Sequence, residues 1–267
     1  MRPVIALLTD YGDKDSFVAS LRAVVLSLQP EAQIVDISHS VRSFDIRQGS
    51  YLLGASIPYF PAGTIFLVVI DPGVGTRRRL LLVKTKNFHF VAPDNGVLSD
   101  VLSREKPEVL IEVKNRRFFL PRVGRTFDGR DKMAPVAAWL SLGHAPQEFG
   151  PRITTCMTFP ALKPRLLKNR ISGHIVYIDK FGNCLTNIPI GWVRELKKRT
   201  RAGIMMLVAG GETAAWSQTY GAGRPGKLIF LPGSQGTIEI AMREKSAADQ
   251  VGCVVGGLVS IYARNNA

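Results

Sequence analysis

Cysteine is scarce: Cys156, Cys184 and Cys253 are the only three, and no two of them form a C-x-x-C pair. That spacing argues against a structural zinc site or a disulfide framework and fits a reducing compartment. The four histidines, His39, His89, His144 and His174, stand singly, without the H-E-x-x-H or i,i+4 pairing that a metal site on a helix needs. Long apolar runs are missing as well. Ile65–Ile70 and Leu80–Val83 are strand-length, well short of the ~18 residues of a membrane helix. Asp10 interrupts the N-terminal apolar stretch before a signal-peptide core forms, so a soluble, cytoplasmic protein is expected. Acidic residues are the remaining deficit: 21 Asp and Glu face 35 Lys and Arg, a formal charge of +14. Such an excess favours an anionic partner, whether nucleic acid, phospholipid or a phosphorylated substrate, and carries no information about fold.

What is present is an ordinary globular composition. Across 267 residues, 46% hydrophobic and 21% charged, neither disorder nor a fibrous repeat is tenable, and the length suits one large domain or two ordinary ones. Val4–Leu8 is an unbroken apolar run followed at once by Thr9-Asp10-Tyr11-Gly12, the pattern of a buried strand and its terminal loop. Phe17, Leu21, Val24, Val25 and Leu28 recur at helical spacing before Pro30. Ile34–Ile37 resumes as a strand, Asp45–Ile57 is helix-like, and Thr64–Ile70 ends at Asp71-Pro72-Gly73. Leu80–Thr85 and Phe88–Ala92 read as a strand pair leading to the turn Pro93-Asp94-Asn95-Gly96. Asp131–Leu142 reads as a further helix. This alternation predicts an α/β N-terminal domain over 1–150 with a mainly parallel sheet. Beyond a proline-punctuated linker over 151–170, the strand candidates Gly173–Ile178, Ile204–Val208, Lys227–Leu231, Thr237–Ala241 and Leu258–Ala263 alternate with glycine-rich turns. Only Val193–Lys198 and Ser246–Val251 look helical there, so 171–267 is expected to form a smaller β-barrel-like domain.

Polar residues directly after buried strands come first as candidates, because ligands of open α/β sheets lie beyond the carboxyl ends of the strands. Asp10 and Asp71 hold such positions; either both face one crevice, or Asp10 caps a turn and Asp71 opens a Pro-Gly turn. Asp13 and Asp15 add acidity without the spacing of a calcium loop. Gly73-Val74-Gly75-Thr76 lacks the Gly-Lys-Ser/Thr ending of a phosphate loop. Of the triplet Arg77-Arg78-Arg79, one guanidinium could fold back on Asp71, although basic triplets are more often solvated edges. In Thr126-Phe127-Asp128-Gly129-Arg130-Asp131, Asp131 is suited to cap the following helix, which leaves Asp128 without a simple structural role. Asp179-Lys180-Phe181-Gly182-Asn183 with Thr186-Asn187, and Gly233-Ser234-Gln235-Gly236, read as turns whose polar groups could also contact a ligand.

The blocks LLTDYGDKDSFV, IVDISH, FPAGTIFLVVIDPGVGTRRR, FVAPDNGVLS, TFDGRDKMAPVAAWL, IDKFGNCLTNI and GSQGTIEIA occur in the order found in the S-adenosyl-L-methionine hydroxide adenosyltransferases. The chain resembles that family, itself related to the fluorinases and chlorinases, from about residue 4 to 263. The resemblance implies an N-terminal α/β domain, a C-terminal β-barrel and a homotrimer whose active sites lie between the N-terminal domain of one subunit and the C-terminal domain of the next. It implies cleavage of S-adenosylmethionine (SAM), the substrate, to adenosine and methionine by water-derived hydroxide attacking C5′, with no metal or redox cofactor. By position, Asp10 matches the ribose-binding aspartate, Asp15 a residue near the methionine amine, and Asp71 and Arg78 two members of an Asp–Arg–His water-activating set. Asp179, Phe181 and Asn183 match adenosine contacts, and Ser234 a contact to the methionine carboxylate.

One catalytic position departs: where the family usually reads T-F-H-G-R-D, this chain has Asp128. An aspartate there places a second carboxylate near Asp71, and the two could share a proton unless Arg78 compensates. The expectation is retained hydrolysis with Asp71 as principal base and Asp128 holding the water. The competing readings are a SAM- or adenosine-binding protein with little turnover, and a halide-dependent adenosyltransferase. A nucleic-acid binder, motivated by Arg116-Arg117, Lys163–Arg170 and Arg194–Arg201 with Phe118 and Phe119 available for stacking, lacks any RRM, KH or helix-turn-helix pattern.

Overall fold

Strands buried on both faces have no polar positions, and the apolar runs of the N-terminal half sit accordingly at the centre of a sheet. The computed structural model describes residues 2–121, 124, 126–200, 203–208 and 211–263. Its first unit, Met1–Phe159, contains β1 (Val4–Thr9), β2 (Gln33–Ser38), β3 (Ile65–Val69), β4 (Leu80–Lys84), β5 (His89–Pro93) and β6 (Val109–Glu112) in the order β2-β1-β3-β5-β4-β6. The β1–β2, β1–β3 and β3–β5 pairs are parallel, whereas β4 runs antiparallel to β5 and β6. The short Thr85–Phe88 connection forces that reversal, since only antiparallel strands can be joined by a tight turn. The mainly parallel α/β sheet expected from the alternation is therefore present.

Four helices cover the sheet: α1 (Phe17–Leu28), α2 (Ile46–Ser56), α3 (Ser99–Leu102) and α4 (Ala134–Ser141). Successive strand side chains alternate between faces. Ile5, Leu7, Leu67 and Val69 pack against Leu21 and Val25 of α1 and Val136 and Ala137 of α4. Ala6, Leu8, Phe66 and Val68 pack against Leu53 of α2 and Val101 of α3. Because β2 and β3 flank β1 on opposite sides, the chain reverses its winding there, and the carboxyl ends of β1 and β3 bound a topological switch point.

The helix expected at Asp131–Leu142 starts differently. A π-turn over Gly129–Met133, closed by Ala134 N–H donating to the Gly129 carbonyl, precedes α4. Asp128, not Asp131, stands at its N-terminal boundary, and the Asp128 side chain makes no capping bond. Asp131 is buried at the third position of the turn, where it accepts a 2.6 Å bond from Arg130 Nε. Residues 151–159 are fastened to this unit: Thr155 O accepts from Arg79 (3.0 Å), Met157 N–H donates to Asp94 (2.7 Å) and Phe159 N–H to Ser99 Oγ (2.9 Å).

The second unit, Pro160–Ala267, holds β7 (Arg165–Leu166), β8 (Arg170–Ile178), β9 (Cys184–Pro189), β10 (Ile204–Leu207), β11 (Thr213–Trp216), β12 (Leu228–Pro232), β13 (Thr237–Met242) and β14 (Leu258–Ala263), with α5 (Ile190–Lys198) and α6 (Ala247–Val251). The order β14-β10-β11-β12-β13-β9-β8 closes on itself through the β14–β8 pairing, giving a seven-stranded barrel with β7 appended. The β-barrel expected from composition is thus observed. Its β9 corrects the reading of Asp179–Asn187 as one turn, which is confined to 179–183. Thr186 is buried within β9 because its hydroxyl donates to the Ile238 carbonyl at 2.7 Å, so a polar residue is satisfied inside the sheet.

On the α2/α3 face, the Phe66 and Phe90 rings stack at 5.1 Å, with Phe60 and Phe88 set edge-on to Phe66. Phe66→Ala is expected to cost about 3–5 kcal/mol, measured by urea or thermal unfolding, because this cluster cannot collapse around the lost ring.

Candidate active site

The switch point gathers the polar residues of the first unit. Thr9, the last residue of β1, bonds His39 Nδ1 at 2.9 Å, and its hydroxyl oxygen accepts from Tyr11 N–H at 3.3 Å; Gly12 N–H donates to His39 O at 2.7 Å. This bracing aims Asp10 away from the strand. Asp10 Oδ2 accepts the N–H of Phe44 at 2.9 Å, and Phe44 adopts φ +69°, a conformation strained for a bulky residue. Burial raises the Asp10 pKa; the Phe44 hydrogen bond opposes that rise and the Asp71 charge adds to it.

Asp71 follows β3 at the adjoining strand end. The Pro72–Arg77 loop folds back through Val74 N–H to Asp71 O and Thr76 to Gly73 O, which returns Arg78 to the carboxylate it left. Arg78 Nε donates to both Asp71 oxygens (2.9 and 2.8 Å), and Nη2 pairs with Asp71 and donates to Asp128 Oδ2 at 2.7 Å. The side chains of Asp71, Arg78 and Asp128 are only 5%, 10% and 1% exposed. Asp71 thus both opens its Pro-Gly turn and receives one guanidinium of the triplet 77–79, which is not a solvated edge. Arg77 alone is exposed, while Arg79 bonds Asp94 at 2.7 Å. Asn95, read only as a turn residue, also serves the site. Its Nδ2 donates to Ile70 O at 2.9 Å and fixes the strand end just before Asp71.

Asp128 is held from its other side by Lys132, whose ammonium lies 3.0 Å from Oδ1. Burial acts to raise the Asp128 pKa, but the hydrogen bonds from Arg78 and Lys132 outweigh it and hold the carboxyl below its ordinary value. Burial likewise opposes the Arg78 charge, and its two carboxylate partners overcome that. Beside them Tyr11 packs edge-on to Phe127 at 5.8 Å and tilted against Phe17 at 5.4 Å. Burial, then the charges of Asp10, Asp71 and Asp128, pushes its phenol upward, so it stays a neutral hydrogen-bond donor at physiological pH. A carboxylate acceptor, a phenol donor and a guanidinium-bridged carboxylate pair can together bind hydroxyls and orient a water.

Asp15 is exposed on the loop before α1. In the second unit, Asp179 organises its own turn: Oδ1 accepts from Phe181 and Asn183 N–H, and Oδ2 from Asn183 Nδ2, each at 2.9 Å. The turn displays Phe181, 66% exposed, with the Lys180 ammonium 4.9 Å from its ring. Ser234 is exposed in the β12–β13 turn, where Gly236 O accepts from Ile190 N–H. Ser234 and the Asp179–Asn183 turn consequently lie at opposite ends of β9.

Other expectations shift. Phe118 is buried against Phe149 at 4.4 Å and is unavailable for stacking on a base. Arg201, the last member of the third basic cluster, lies outside the described residues. Among the described residues no group of His, Cys, Asp or Glu could hold a metal ion, and no helix is long and apolar enough to cross a membrane.

The π-turn needs a glycine at its start. A Cβ on Gly129 would stand 2.8 Å from Tyr11 Oη and 3.0 Å from Val69 Cγ1. Gly129→Ala is expected to destabilise the protein by about 1–3 kcal/mol and to shift Tyr11, measured by thermal unfolding and tyrosine fluorescence.

The N-terminal domain model of the SAM hydroxide adenosyltransferases matches residues 5–150, and the C-terminal domain model matches residues 173–260. An (R)-S-adenosyl-L-methionine hydrolase from Salinispora tropica is 32% identical over 98% of each chain. A fluorinase from an Actinoplanes species is 28% identical over 70% of this chain and 72% of its own. The crystal structure of an uncharacterized conserved protein from Thermotoga maritima is 35% identical, with a TM-score of 0.90 over 97% of this chain and 100% of that one.

Proposed function

The chain belongs to the SAM hydroxide adenosyltransferase family, and on that premise we propose that it hydrolyses S-adenosyl-L-methionine to adenosine and L-methionine. The observation that carries this reading is the buried Asp71–Arg78–Asp128 bridge at the switch point, one strand from Asp10. In the reaction, a water oxygen bonds to C5′ as the C5′–S bond breaks. The sulfonium leaves as a neutral thioether, and the water proton passes to Asp71 and then to solvent. Attack of an anion on a cation cancels charge in the transition state, so a site that strips water from the nucleophile and substitutes fixed dipoles favours it. In-line positioning supplies about 7–11 kcal/mol of the barrier reduction in well-oriented cases.

Asp10 accepts hydrogen bonds from the ribose hydroxyls, and Asp71 is the general base. Arg78 and Asp128 orient the water. Asp15 lies toward the methionine amine, Asp179, Phe181 and Asn183 toward the adenosine, and Ser234 toward the methionine carboxylate. The assembly is a homotrimer in which the second group of residues comes from a neighbouring subunit. The reaction takes place in the cytoplasm and uses neither metal nor redox cofactor. The charge count suits the substrate: Asp10, Asp71 and Asp128 against Arg78 and Lys132 leave one net negative charge for a sulfonium cation.

Incubation with SAM in ¹⁸O-water, with and without chloride, is expected to release adenosine and methionine in proportion to time and protein, with ¹⁸O in the 5′-hydroxyl and no dependence on chloride. Binding without product would mark a SAM-binding protein, and a chloride-dependent nucleoside would mark a halide transferase. Asp71→Asn is expected to lower kcat by about 10²–10⁴-fold, as loss of a general base does. Ribose binding requires Asp10 ionised and its pKa is raised. SAM affinity is therefore expected to fall with acidification from a higher pH than an ordinary aspartate would set, and Asp10→Asn should abolish that limb in a titration by calorimetry.

A further inference from the structure

Lys132 lies four residues beyond Asp128, across the π-turn, and its side chain is one-fifth exposed. Its ammonium is 3.0 Å from Asp128 Oδ1 and 5.8 Å from the centre of the Phe119 ring. Oδ2 of the same carboxylate faces Arg78. The four side chains thus alternate in sign, Asp71–Arg78–Asp128–Lys132, and each oxygen of Asp128 is engaged by a different cation. We propose that Lys132 is a positioning residue of the hydrolytic reaction, turning the Asp128 carboxylate onto Arg78 so that the guanidinium presents Asp71 in one orientation. The role rests on the hydrolase reading above and goes beyond it by naming a residue to which the resemblance assigns no role.

The physical need is clear from burial. Asp128 is essentially inaccessible to water, and the Arg78 guanidinium, shared between two carboxylates, carries one positive charge for the two of them. With Lys132 present, both are compensated. Without it, Asp128 loses one of its cationic partners and takes up a proton at a higher pH than it does beside Lys132. A protonated carboxyl no longer bonds Arg78 as an ion, which loosens the tether on Asp71. The groups facing Asp128 from the other elements include Arg78 and Asp71 after β3, with Tyr11 after β1 close enough to feel all three and Asp10. Arg130 and Asp131 on the π-turn itself are paired with each other.

The sign of the pH effect follows. The Asp128 pKa is depressed, so its contribution to stability and to the active geometry is present above the ordinary aspartate pKa and is lost as pH falls through the folded value. Removing Lys132 raises that folded value and moves the loss to higher pH.

The test is a double-mutant cycle of Lys132→Met and Asp128→Asn, with Lys132→Arg as the conservative variant, read by the pH profiles of kcat and kcat/KM for SAM and by acid unfolding. Lys132→Met is expected to lower kcat about tenfold with KM changed less than about twofold, and to move the acid limb and the acid-unfolding midpoint to higher pH. Lys132→Arg should restore all three, and in the Asp128→Asn background Lys132→Met should change none of them. Equal effects of Lys132→Met in both backgrounds, or an unmoved acid limb, would overturn the role of Lys132 while leaving the hydrolase reading intact. An unaltered protein that releases no adenosine would overturn both, and the unfolding midpoints would then report only a structural ion pair.

Discussion

A guanidinium cannot shed its charge, and that makes Arg78 the fixed point of the site. It is buried between Asp71 and Asp128, residues from two separate segments, and it reaches across 50 positions of sequence to Asp128. Taking these charges out of water is costly, and the attraction repays it only with close, multiply bonded geometry. The two-oxygen engagement of Asp71 and the single bond to Asp128 provide that geometry. Neighbouring features serve to keep the three groups in register: the fold-back of 72–77, the Asn95 brace on Ile70, and the glycine-started π-turn that carries Asp128 past Tyr11.

The location follows from topology before chemistry. Parallel strands that reverse their winding leave a crevice at their carboxyl ends, and β1 and β3 deliver one aspartate each to that edge. Their local environments then separate the carboxylates. Asp10, half-buried and held by backbone donors alone, has a pKa raised by burial, whereas Asp128, caught between two cations, has a lowered one. A group that remains ionised under strong cationic restraint is a poor proton acceptor and a good anchor, which suits Asp128 to orientation. The overall charge of +14 has little bearing on this, because a local cluster with one net negative charge governs a cationic ligand at a few ångströms while distant surface charge is screened.

Much of this was legible in one dimension. Unbroken apolar runs marked β1 and β3 because strands covered on both faces tolerate no polar residue, and Asp10 and Asp71 stood out by following them directly. Four strands were not anticipated: β6, β7, β9 and β11 are short or carry polar residues whose partners come from distant strands, as the Thr186 hydroxyl does from Ile238. The start of the helix after Asp128 was misplaced because capping preference favoured Asp131, and the close approach of Gly129 to Tyr11 leaves no trace in local sequence. Within the basic triplet the family resemblance singled out Arg78, whereas spacing alone could not, since the loop fold-back that selects it is not written in local sequence. Lys132 gave no signal at all: its partner lies four residues back, but the spacing looks like any solvated helical pair until the burial of Asp128 is known.

The most direct measurement is a crystal structure with a stable SAM analogue in which carbon replaces the sulfonium. The account predicts the ribose hydroxyls on Asp10, and an ordered water held by Asp71 and the Arg78–Asp128 pair about 3–3.5 Å from C5′, opposite the leaving atom. An analogue seated away from the ends of β1 and β3, or one whose C5′ faces no group of that bridge, would contradict it.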